Sequence, residues 1–265
     1  EMPFAAKFCR LLGASLALCI LVISIDVAAS TKNEELLPLA DNLYSRYLLC
    51  SETTDIEKAY ILLKQCNETE PKSFNIKWRL ARTLNEYGAV VKDSFNYWEE
   101  GILFATEAID LEPERPEGYL WLAILKGQIG RAKGILQSLT SAKQMKLLLE
   151  KSLELDPLNA YTYHILASLY RLIPGWPVSF GDNKKALELA KKAIELEPES
   201  HNLWWGLYEA LVEVGKMDEA ERVLENILRL SDEDPFSHLY NQPFPKEIKR
   251  NAEKALTKNH SVKSR

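Results

Sequence analysis

Glycine and proline are scarce, at 11 and 12 of 265 residues. That argues against long disordered or collagen-like stretches. No alternation of apolar and polar residues persists, so strands have no sequence support. Histidine occurs four times, never with cysteines or carboxylates at metal-ligand spacing. There is no glycine-rich phosphate loop, no nucleophile elbow and no zinc motif, so the chain reads as a non-enzyme without metal or cofactor. A net charge of -5 gives no basis for nucleic-acid binding. What is present suffices for a folded core: 46% of the residues are hydrophobic and 27% charged.

Cysteine is also rare, with four in all, and two of them (Cys9 and Cys19) lie in a distinct N-terminal piece. There Lys7 and Arg10 precede an apolar run from Leu11 to Ile25, followed by Asp26-Val27-Ala28-Ala29. This is the layout of a secretory signal, with cleavage expected after Ala29 and a periplasmic destination. The competing reading is an uncleaved anchor, against which stands the shortness of the run beside the roughly 20 residues of a bilayer span. Cys50 and Cys66 remain. Helical rise places them roughly 15 Å apart across a hairpin, beyond the reach of a disulfide, so two free, buried thiols are expected.

The chain then repeats itself. Pro71, Pro113, Pro157 and Pro198 each close a helix, and nine residues after each stands Leu80, Leu122, Leu166 or Leu207. Gly88, Gly130 and Gly215 follow seventeen residues after three of the prolines, and Pro174-Gly175 occupies that place in the remaining unit. Helices preceding the prolines are expected at Trp98–Leu111, Ala142–Leu155, Asn183–Leu196 and Met217–Leu230, after a first hairpin of Glu34–Cys50 and Asp55–Asn67 capped by Thr54 or Asp55. Small residues, Ala108, Ser152 and Ala193, sit five before three prolines, where neighbouring helices approach. Proline stops each helix because it lacks an amide hydrogen and disfavours helix in the residue before it.

This register resembles the tetratricopeptide repeat (TPR) family, most fully in Trp204, Leu207, Gly215, Ala220 and Leu224. The resemblance implies an all-α, right-handed α-solenoid of stacked helical hairpins over 30–235, with a capping helix and tail over 236–265. Counting on to Pro235, successive prolines are 42, 44, 41 and 37 residues apart, longer than the family's period of about 34. The additions fall at Gly88–Asn96, Gly130–Ser141 and Pro174–Asp182, between the two helices of a hairpin, and are expected to emerge on one face as lengthened connections. With Trp78-Arg79-Leu80-Ala81-Arg82, Tyr163-His164-Ile165-Leu166-Ala167 and the Pro174–Asp182 loop, the layout is similar to exported TRAP-transporter-associated TatT-like proteins and to the regulator-of-microtubule-dynamics family.

In a TPR array the first helix of each hairpin lines the concave face. Counting seven, eleven and fourteen residues from the prolines puts Trp78, His164 and Trp205, then Arg82 and Glu209, then Asn85 and Arg171 on that face, with Tyr161 four after Pro157. Arginine can grip a carboxylate in a bidentate fork, and tryptophan offers broad apolar contact. The groove therefore reads as a site for a small anionic or amphipathic ligand, or for a protein partner of the cell envelope. The structural alternative keeps Trp78 and Trp205 in the core and pairs the arginines with Glu86 and Glu209. His164 reads as a groove or packing residue. Trp176 heads a loop that is either a lid or a stiff connector. The expected function is an exported binding protein assisting a TRAP-type transporter; a membrane-anchored scaffold is the alternative, and an array that can stack on itself leaves homo-oligomers open.

Overall fold

The computed structural model describes residues 32–48, 52–231 and 245–263. The expected signal segment, Cys50 and the loop before Pro245 lie outside the described residues. Eleven helices are present among those residues, and no strand. Helix α1 covers 32–48. It is followed by α2 (Thr53–Thr69), α3 (Phe74–Val90), α4 (Ser94–Leu111), α5 (Pro116–Ala132), α6 (Ile135–Leu155), α7 (Ala160–Leu172), α8 (Asn183–Leu196), α9 (His201–Glu213), α10 (Met217–Arg229) and α11 (Pro245–Lys263). Each odd-numbered helix up to α9 forms a hairpin with the helix after it.

The small residues five before the prolines are built into the packing. Ala108, Ser152 and Ala193 are buried. Their carbonyls accept the N–H groups of Glu112, Asp156 and Glu197 at 3.0, 2.9 and 3.1 Å as each helix ends. Ser152 also donates to the Pro116 carbonyl at 3.2 Å, tying the end of α6 to the start of α5 within one hairpin. The core runs along the whole array, with Leu80, Leu125, Leu149, Leu211 and Leu224 essentially inaccessible. Burying each such side chain stabilises the fold by about 1.5–3 kcal/mol. Cys66 is free and buried, as expected. Helix α11 packs on α9 and α10, burying Ile248 and Ala252. It runs from Pro245 through Lys263, inside the 236–265 expected for a capping helix and tail.

Gly88 is required by contact. A Cβ there would stand 2.5 Å from Trp98 Nε1, whose N–H donates to the Asn85 carbonyl at 3.2 Å. Gly88→Ala is therefore expected to displace the indole and destabilise the protein by about 1–3 kcal/mol, read as a lower urea midpoint with an unchanged slope. Gly215 serves differently, since its φ of +75° just beyond α9 is a backbone state that glycine adopts freely.

The connections depart from expectation. Two of the three additions lengthen helices instead of forming loops: α3 continues to Val90 before α4 starts at Ser94, and α5 reaches Ala132 before α6 starts at Ile135. Neither segment contains a proline, so nothing ends the helices early. Only 173–182, carrying Pro174 and Pro177, is a true loop. It is closed on itself by Gly181 N–H to the Pro174 carbonyl at 3.0 Å and Asp182 N–H to the Tyr170 carbonyl at 3.0 Å. Asp182 then caps α8 by accepting from the Lys184 and Lys185 amides. Helix α2 starts at Thr53 with no side-chain cap, not behind Thr54 or Asp55.

Candidate binding site

The concave face divides into a sealed N-terminal half and an open C-terminal half. In the sealed half α1 lies against α3. Asp41 accepts from Arg79 Nε at 3.0 and 3.1 Å and from Arg82 Nη2 at 2.5 Å. The Arg82 guanidinium stacks on Tyr44, 4.0 Å from its ring centroid, and lies 5.0 Å from that of Trp78. Arg82 and Asn85 are buried, and Trp78 is only partly accessible. Arg82, with Trp78 beside it, is thus covered by α1, which follows no marker proline to reveal its register, and Asn85 is engaged by Gln128 of α5. Arg82 takes Asp41 as its carboxylate, not the Glu86 weighed from sequence.

From this half a polar chain runs toward the open one. Asn85 Nδ2 donates to Glu86 Oε1 at 2.8 Å, and Asn85 Oδ1 accepts from Gln128 Nε2 at 2.9 Å. Gln128 Oε1 in turn accepts from Arg131. Glu86 is buried, and burial pushes its carboxyl up to about 8, against the opposing pull of Asn85 and Arg82.

In the open half, α5 and α7 meet through Trp121 and Tyr161, whose rings are 6.4 Å apart. Helices α3 and α5 pack together, as do α7 and α9, but α5 and α7 have little direct packing. The gap is a cavity of about 590 Å³. Ile124, Met145, Ile165 and Leu169 give it an apolar wall, and His164, Gln128 and Arg131 bring polar groups to it. Its bed depends on small residues. A Cβ on Gly127 would meet Met145 at 2.8 Å, and one on Gly206 would meet His164 Nδ1 at 2.6 Å. Burial, with a smaller contribution from Arg171, lowers the His164 pKa to about 4, so the ring is neutral at physiological pH.

Of the residues singled out from sequence, Tyr161 and His164 line the cavity. Arg171 pairs with Glu209 at 2.8 Å, the partner that the structural alternative names. Burial raises the Glu209 pKa, while Arg171 and Trp205 hold it back. Trp205 packs on Tyr208 with ring centroids 5.0 Å apart. Trp176 neither tucks inward nor covers the cavity, being 91% exposed. Its loop partner Phe180 does tuck inward, edge-on to Tyr170 at 5.5 Å. Gln128, Arg131 and Met145 escaped the sequence reading because the first two lie beyond the counted register and the third is on a second helix, whose face toward the cavity exists only because α5 and α7 pack little against each other.

With the geometry in view, comparison with known proteins places the chain. A family profile described as regulator of microtubule dynamics protein 1-3 matches residues 37–170, just over half of the chain. The chain belongs to this family. A tetratricopeptide repeat profile matches residues 178–236. Regulator of microtubule dynamics protein 1 of Mus musculus is 31% identical over 144 residues, covering 53% of this chain and 44% of that protein. The Bos taurus counterpart is 30% identical over 137 residues, covering 50% and 40%. The match thus spans less than half the length of these relatives. Among solved structures, a thermophilic TPR protein of Thermus thermophilus superposes with a TM-score of 0.67 at 18% identity, covering 84% of this chain and 98% of that one. That likeness establishes the TPR solenoid fold.

Proposed function

We propose that the chain is a non-catalytic binding protein that takes the apolar body of a small amphipathic ligand into the cavity between α5 and α7. The observation that carries this is the cavity itself. Its volume of about 590 Å³ falls within the range of about 300–1,000 Å³ typical of small-molecule sites, and mostly apolar walls with a few polar groups are their usual lining. Arg82 and Arg171 are neutralised by Asp41 and Glu209, so the cation for an anionic group is Arg131 at the rim, with neutral His164 as a hydrogen-bonding partner deeper in.

Native mass spectrometry of protein purified gently from its own host tests this. A bound small molecule is expected in the wild type and lost in Ser168→Phe, which fills the cavity from α7. A bound molecule that survives the substitution sinks the assignment. Family membership favours a second reading, a scaffold for a protein partner in the setting its relatives' names describe. A crosslinked partner without a small ligand would establish that reading instead. The layout of residues 1–29 supports export, and the resemblance to TRAP-transporter-associated proteins supports work beside an envelope transporter. A mature N terminus at Ser30 is the expected result, and an intact one would replace export with a membrane-anchored scaffold.

A further inference from the structure

The edge of the solenoid at the cavity mouth is apolar and basic. Leu136 is 80% exposed and Ile135 76% where α6 begins; Leu172, Trp176 and Val178 are 64%, 91% and 64% exposed where α7 gives way to its loop. Single exposed apolar residues are ordinary, but a cluster of large ones marks an interaction surface. These belong together, because Arg131 and Ser138 from one connection and Leu172 and Ile173 from the other border the same cavity.

Charge identifies the occupant. The chain is net acidic, yet 118–149 holds Lys126, Arg131, Lys133, Lys143 and Lys146 and no acidic residue, and 157–181 holds Arg171 and none. The carboxylates that reach this region from elsewhere are Glu99, 3.8 Å from Lys133, Glu150, 3.8 Å from Lys146, and Glu209 on Arg171. Asp182 is occupied in capping α8. Two protruding turns tipped with tryptophan and aliphatic side chains and backed by Arg131, Lys133 and Lys184 combine the features that seat a protein at a bilayer interface: an aromatic at headgroup level, aliphatics beyond it, and cations on anionic lipid. We infer that this edge docks on an anionic membrane surface. The inference does not depend on what fills the cavity.

The test uses the full chain with vesicles of phosphatidylcholine, with and without 30% phosphatidylserine, carrying a brominated acyl chain as quencher. The expected result is at least tenfold tighter co-sedimentation with the anionic vesicles, lost in Leu136→Asp/Trp176→Asp. Tryptophan quenching is expected in the wild type and missing in Trp176→Phe. Both sites are exposed, so the substitutions leave the fold intact. Equal binding to both vesicle types overturns the proposal, as does binding that survives the double variant, since the apolar run of 11–25 would then carry it. Quenching unchanged in Trp176→Phe, or an acidic protein competing for this edge where vesicles do not bind, overturns it as well.

Discussion

Glu86→Gln is expected to stabilise the protein by about 4 kcal/mol at pH 8 and to change little at pH 4.5. Burial raises this carboxyl from 4.5 to about 8 in the folded chain. Between those values the folded state holds a proton that the unfolded state has released, so stability falls as pH rises from 4.5 to 8. Glutamine keeps an oxygen for the Asn85 amide and removes the titration. His164 acts in the opposite sense. Its pKa is lowered from 6.5 to about 4, so the unfolded state takes up a proton first as pH falls, and stability is lost on descending through that window. The two slopes offset each other between about 4.5 and 6.5, leaving the Glu86 slope alone from about 6.5 to 8. Urea unfolding at pH 5.5, 7 and 8 should show the wild type weakening mainly from 7 to 8, and Glu86→Gln, left with the His164 slope alone, gaining stability from 5.5 to 7 and level from 7 to 8. Parallel curves for the two proteins would refute the assignment. Tyr44 and Tyr47 face Glu86 from α1, and burial raises both phenols well above this range, so they do not contribute to it.

The second large effect is expected at Asp41. Asp41→Ala leaves the Arg82 guanidinium, 5% exposed, without its carboxylate between Tyr44 and Trp78. Removing one partner of a buried ion pair costs about 3–5 kcal/mol; the lower figure applies here because Asp41 itself is partly solvated. At about 2–4 °C per kcal/mol for a chain of this size, the melting temperature should fall by about 6–12 °C. Adding Arg82→Met to Asp41→Ala should recover most of the loss, since an apolar side chain of similar length leaves no charge stranded. If the double variant is as unstable as the single one, the cost lies in packing and not in the charge. Amide exchange should show α1 opening first in Asp41→Ala, because its buried Tyr44 and Leu48 belong to a small cluster with Ile56, apart from the main core.

The repeat was legible because its markers act locally. A proline ends a helix wherever it stands, which is why the ends at Leu111, Leu155 and Leu196 follow from Pro113, Pro157 and Pro198. Leu80, Leu166, Leu207, Ala220 and Leu224 are buried as the register requires. Two of the lengthened connections were misjudged because added length was equated with a loop. Without a proline, Gly88–Asn96 and Gly130–Ser141 were free to extend the helices on either side. The site was less legible. Arg82, Asn85, Arg171 and Glu209 were assigned by register to a ligand-facing surface, but register gives the direction of a side chain and not what stands opposite it.

The sequence by itself determined the order of the helices, the ends that prolines set and the burial of the marker leucines and small residues, because proline and apolar spacing act within one or two turns. Only the tertiary structure decided which charges were free. Asp41 reaches across to Arg82, and Glu209 reaches across to Arg171, from other helices. It also decided where the cavity lies, since its walls come from α5, α6 and α7. That arrangement arises from how whole helices pack, and no short stretch of residues encodes it.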